Sequence, residues 1–163
     1  MRLIKTVICI FICVNLNAQT TKHSFSSIQI IGSWQIGNSQ VSDAFKKNII
    51  FYKNGKFILN YDGYDDIGRI RSVSGHYKIK DTALYLTIES RMEIAGGKLT
   101  KGSPGFQTEE FTLDGGKLIT IKQTNKESDE PFDLSVSEYR GDNPICIQID
   151  NNKYYKLSVD PNK

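Results

Sequence analysis

The sequence predicts an all-β protein, an antiparallel up-and-down β-barrel of about 8–10 strands. Three observations predict it. Short runs rich in β-branched and aromatic residues recur along the chain, separated by Gly, Asn, Asp and Pro. Within the runs apolar residues alternate with polar ones, the side-chain period of a strand. Most connections are too short for the helical crossovers that parallel strands need. An open meander of this length would leave two unpaired edges, and closure into a barrel removes them while gathering the apolar faces inside.

The chain of 163 residues opens with a segment of a different kind. Arg2 and Lys5 precede an unbroken apolar run from Val7 to Val14, and Asn15-Leu16-Asn17-Ala18 follows. That is the order of a secretory signal peptide over residues 1–18, with cleavage expected between Ala18 and Gln19. The apolar run is far shorter than the roughly 20 residues a membrane-crossing helix needs. No later stretch approaches that length, so no membrane span is expected after signal removal. Cys13 follows the bulky Ile10-Phe11-Ile12, which argues against a lipid-modified cysteine. The expected location is periplasmic or extracellular. Loss of residues 1–18 removes Arg2 and Lys5 and no acid, taking 21 basic side chains to 19 against 18 acidic. A net charge of +1 lacks the excess that phosphate-backbone binding needs, so nucleic acid is set aside. Cys146 is then the only cysteine left, and the fold must stand on burial without an internal disulfide.

Residues 19–27 read as a linker and 28–163 as one barrel domain. Strands are expected at 28–36 (IQIIGSWQI), 48–53 (NIIFYK) and 56–62 (KFILNYD). Asn54-Gly55 between the last two predicts a type I′ hairpin, with positive φ at both residues. A short helical turn is expected at 42–47 (SDAFKK). Further strands are expected at 69–80 and 83–89, joined at Asp81-Thr82. The next two, at 106–113 and 117–124, flank Asp114-Gly115-Gly116 as a turn. The last are at 132–140, 145–150 and 153–159, with Asn151-Asn152 as a two-residue turn. Loops are expected at 95–105 and 125–131. By parity Phe57, Leu59 and Tyr61 share a face, as do Tyr77 and Ile79, then Leu84, Leu86 and Ile88. Ile145, Ile147 and Ile149 share another, opposite Cys146 and Gln148.

Gly32-Ser33-Trp34, the strand–Asn54-Gly55–Phe57 hairpin and Gly75-His76-Tyr77-Lys78-Ile79 together resemble the small secreted lipocalin-like domains of Bacteroidota, calycin-like barrels. The strand pattern covers most of residues 28–159. The resemblance implies an eight-to-ten-stranded barrel in which Trp34 closes one end of the interior and an open end admits an apolar ligand. Lipocalins usually carry an arginine late in the barrel over the Trp ring, and Arg140 is the residue expected to serve. The long C-terminal helix of the animal members has no counterpart after Val159.

With Trp34 inward, Ile36, Phe51, Phe57, Leu59, Tyr61, Tyr77 and Leu86 are expected to line the lumen. Two outcomes follow: an apolar ligand pocket with Tyr hydroxyls to orient its occupant, or a closed core packed by the same side chains. Arg69 and Arg71 share the parity of Tyr77, so they either meet an anionic head group or sit solvated at the rim. The acidic stretches 62–66 and 127–130 lack the fixed spacing of a calcium loop. Two histidines and one thiol are too few for a zinc site, so neither metal nor cofactor is expected. Gly97 to Gly102 fails as a phosphate loop because Ser103 stands where lysine is required. Glu109 and Glu110 alternate across a strand and cannot share a substrate. Cys146 would need a base from His23 or His76, and a small strand side chain is the simpler reading. The expectation is an exported, non-catalytic lipocalin-like barrel holding a small hydrophobic ligand. The alternative is a filled-core interaction module that presents loops, the 95–105 segment foremost, to a protein or glycan partner.

Overall fold

The computed structural model describes residues 27–37, 43, 45–101, 111–127 and 131–162. The expected signal peptide, its cleavage point, and Glu109 and Glu110 lie outside the described residues. One helical turn, α1 (Ser27–Ile30), precedes eleven strands. These are β1 (Gly32–Ile36), β2 (Asn48–Phe51), β3 (Lys56–Asn60), β4 (Ile70–Lys80), β5 (Ala83–Ala95) and β6 (Lys98–Lys101). They continue with β7 (Phe111–Asp114), β8 (Lys117–Glu127), β9 (Phe132–Arg140), β10 (Asn143–Ile149) and β11 (Asn152–Ser158).

The sheet order is β4-β3-β2-β1-β11-β10-β9-β5-β8, and β4 also pairs with β5. Eight strands therefore close into an antiparallel barrel, and β8 is an extra strand that pairs with β5 on the edge β5 shares with β9. Chain direction alternates around the ring, so the connections sort to two ends. One end, the narrow end by its short connections, carries the tight turns β2–β3, β4–β5 and β9–β10, together with α1 and the end of β11. The other, the wide end by its longer connections, carries the 37–47 and 61–69 connections and the excursion through β6, β7 and β8. The seam between β5 and β9 is thin, with only Ala83↔Asp133 and Leu84↔Phe132 paired. Leu134 N–H donates to Thr82 O at 2.8 Å, which extends it by one bond.

Several elements differ from expectation. Residues 28–30 belong to α1 and not to the first strand; Ile30 is fully buried, and its carbonyl accepts the Trp34 Nε1 proton at 2.6 Å. The Asn54-Gly55 hairpin is present, with Phe51↔Phe57 as its last pair. It is not type I′, because only Gly55 has positive φ (+80°). Gly55 N–H donates to Tyr52 O at 3.1 Å and Tyr52 N–H to Lys56 O at 2.8 Å, a three-residue connection with a glycine bulge. Among the described residues of 42–47 there is a turn, with Lys46 N–H donating to Asp43 O at 3.2 Å. The β10–β11 turn is Asp150-Asn151, one residue earlier than expected, because Asp150 takes the positive φ of +50°.

The largest departure is the 95–117 region. Asp114-Gly115-Gly116 does not join two paired strands, since β7 pairs with β6 and β8 with β5. Within the expected 95–105 loop, Lys98–Lys101 is strand β6. Ala95 lies opposite Lys117, and Lys98 opposite Asp114. Between those pairs Gly96 and Gly97 face Gly115 and Gly116, all four with φ between +71° and +95°. The two glycine pairs break a long two-stranded ribbon and re-aim its tip, a conformation closed to most side chains. Leu113 N–H then donates to Asp66 O at 3.1 Å, docking the tip on the 61–69 loop.

The core is a single cluster drawn from every strand of the ring, with Ile30, Trp34, Ile49, Phe51, Phe57, Val73, Leu84, Leu86, Leu134, Ile147, Ile149 and Tyr154 buried. In β10 the parity resets: register shifts fall between Pro144 and Cys146 and between Cys146 and Ile147. Cys146 and Ile147 are both fully buried for that reason, while Ile145 is only half-buried.

Candidate functional site

Trp34 sits against α1 with no exposed surface. It is paired across the sheet with Ile49 on β2 and Lys156 on β11. The Lys156 ammonium stands 4.7 Å from the ring centroid, within cation–π range. It also donates to Gln29 O at 3.4 Å, and burial lowers its pKa from the ordinary lysine value. Arg140, expected over this ring, instead ends β9 and is exposed. Parity along 153–159 held the signal for Lys156, which shares a face with the inward Tyr154. What the sequence lacked was the knowledge that β11 is the neighbour of β1.

Phe51 and Phe57 are paired, and both are essentially unexposed. Phe51 meets Tyr77 edge-on, with centroids 4.9 Å apart at 71°. The Tyr77 hydroxyl donates to Tyr52 O at 3.0 Å, and burial raises its pKa. Leu86 is in the same cluster, and Ile36, Leu59 and Tyr77 pack against it. Tyr61 lies beyond the end of β3 and is 39% exposed, with Lys47 Nζ 6.0 Å from its ring. The structure thus brings six of the seven proposed lining residues into or against one core and leaves Tyr61 at the rim. A side chain with no accessible surface touches no space that could hold a water molecule. No water-sized space therefore adjoins Trp34 or Phe51, and the accessible lining is at Ile36, Leu59, Tyr61 and Tyr77.

The two arginines tie loops together. Arg69 donates to the carbonyls of Ile94, at 3.2 Å, and Gly96. Arg71 donates to Asp65 O at 3.2 Å. The acids of 62–66 serve their own loop: Asp62 Oδ1 accepts Tyr64 N–H at 3.0 Å, and Asp65 Oδ1 accepts Gly68 N–H at 2.9 Å. Among the described residues no three His, Cys, Asp or Glu side chains converge as metal ligands would. His76 is exposed on β4 and meets Glu89 at 2.9 Å. The Cys146 thiol is buried on β10, and that burial pushes its pKa up.

The wide end carries a feature that alternation could not reveal. Gln35 is buried and holds the 37–47 connection through its side-chain amide, accepting Asp43 N–H at 3.0 Å and donating to Asp43 O. Phe45 N–H and the Tyr64 hydroxyl then hold the Asp43 carboxyl below its ordinary pKa. The Phe45 and Tyr64 rings meet at a tilt of 53°, with centroids 5.7 Å apart. Beside them Tyr64, Asp65, Asp66, Ile67 and Phe111 line a cleft of about 300 Å³. Phe45, Tyr64, Ile67 and Phe111 are all more than half exposed. A second cleft, of about 450 Å³, opens at the narrow end. No protein-family model, curated protein or solved structure matches this chain.

Proposed function

We propose that the chain is an exported, non-catalytic, lipocalin-like barrel that works as an interaction module through its wide end. One observation carries the reading: the interior is packed solid around Trp34, while four large apolar side chains from three separate segments stand exposed together at the wide end. Exposed apolar groups rimmed by polar ones mark protein contacts more often than they serve a monomer. Asp65 and Asp66 border the cleft, so the matching partner is a protein surface offering an apolar side chain beside basic ones. Ile67→Asp and Phe111→Asp change exposed positions and leave the core intact. Each is expected to lower recovery of a cross-linked envelope partner at least about tenfold, the scale of an interface anchor. Equal recovery by the wild type and the double variant would sink the proposal.

A second reading, a small hydrophobic ligand in the upper interior, is favoured by the partial accessibility of Leu59, Tyr61 and Tyr77. Trp34 is the chain's one tryptophan and reports on that interior directly. Under this reading fatty-acid, retinoid or haem-like probes quench its fluorescence and raise the melting temperature. If the whole panel does neither, the ligand reading is lost.

A further inference from the structure

The cleft at the narrow end lies at the opposite pole from the wide-end surface. Its volume of about 450 Å³ falls inside the roughly 300–1,000 Å³ range of small-molecule sites. Tyr52, Asn54, Lys56, Ser74, Glu89 and Asn162 supply its polar lining. The β2–β3 turn brings the first three together, the β4–β5 pair brings Ser74 and Glu89, and the chain beyond β11 brings Asn162.

Some of this hydrogen-bonding capacity is already used. Asn54 Oδ1 accepts Lys56 N–H at 3.1 Å, and Glu89 Oε1 meets His76 at 2.9 Å. Ser74 Oγ lies 2.7 Å from Ser90 Oγ, and Asn162 Nδ2 donates to Asp160 Oδ1 at 3.2 Å. These contacts fix the side chains and leave one function on several of them unspent among the described residues. Asn54 Nδ2 and Lys56 Nζ are donors, Asn162 Oδ1 and Glu89 Oε2 are acceptors, and the Tyr52 hydroxyl is both. One ammonium and one carboxylate cancel, so no net charge selects an ion. Donors interleaved with acceptors beside an aromatic ring suit a molecule whose every polar group both donates and accepts, which is the chemistry of a sugar hydroxyl.

We infer that this cleft binds a neutral saccharide of one or two rings. The site stands apart from the wide-end surface, so the failure of either leaves the other intact. Maltose, cellobiose and chitobiose are the probes, followed by saturation-transfer NMR and calorimetry on the full mature chain. At least one of the three is expected to bind. Tyr52→Phe and Lys56→Met each remove one hydrogen-bonding group without emptying the core, and each is expected to weaken binding by about threefold to tenfold. Lys117→Met, an exposed change on β8, is expected to leave affinity unchanged. The inference is overturned if none of the three sugars binds the folded wild type, or if binding survives both cleft substitutions undiminished.

Discussion

Trp34→Ala is expected to destabilise the barrel by about 3–5 kcal/mol. The indole is fully buried, and its removal empties the largest volume in the core. Two polar groups also lose a partner. The Ile30 carbonyl loses the 2.6 Å bond that fastens α1 to the barrel, and the half-buried Lys156 ammonium loses the ring 4.7 Å away. Trp34→Phe keeps an aromatic ring and discards the N–H, so it should cost about 1–3 kcal/mol. Urea denaturation followed by far-UV circular dichroism separates the two, since the chain's only tryptophan is gone in both. The alanine variant should melt about 10 °C below the wild type. A loss under about 1 kcal/mol is what an exposed position gives, and would mean that the indole does not plug the barrel.

Gly75→Ala is the smallest substitution in the chain with a comparably large expected cost. A β-carbon there would stand 1.8 Å from Thr87 O, 2.9 Å from Thr87 C and 3.0 Å from Glu89 N. All three are backbone atoms of β5, so no side chain can swing aside. Gly75 sits where the β4–β5 register shifts, and this pairing closes the barrel. One methyl group must therefore push β4 and β5 apart or abolish the bulge, at about 3 kcal/mol or more. Gly96→Ala is the contrast: open space surrounds it, and only its φ of +76° opposes a side chain, costing about 1–2 kcal/mol. Equal midpoints for the two variants would show that space at Gly75 is not the constraint.

Much of the barrel could be read from alternation because that period belongs to each strand separately. Strand β9 (Phe132–Arg140) falls at the expected residues, and β4 and β11 fall within one residue of theirs. Trp34, Phe51, Phe57 and Leu86 face inward as their parity requires. Alternation misled where the count is interrupted. The two register shifts around Cys146 bury it beside Ile147, and a bulge leaves no mark in a pattern of residue types. Asp114-Gly115-Gly116 has the composition of a hairpin turn, yet Gly96-Gly97 opposite makes it half of a ribbon break. The partner of a glycine pair is a non-local fact.

The candidate sites divide in the same way. Which residues turn toward the interior was visible in outline from the sequence, while whether they fill it was left open. The wide-end group of Phe45, Tyr64, Ile67 and Phe111 comes from segments up to 66 positions apart, assembled by loop contacts such as Leu113 N–H to Asp66 O. The narrow-end cleft likewise joins Tyr52 to Asn162.

By itself the sequence determined most of these strands and which face of each is apolar, Trp34 on the inward one, because local backbone geometry converts residue order into faces. Only the tertiary structure decided which strand lies beside which, that Lys156 covers Trp34 where Arg140 was expected, and which loop residues meet at the two ends. Those outcomes depend on contacts between distant residues, whose free energy appears only once the ring has shut.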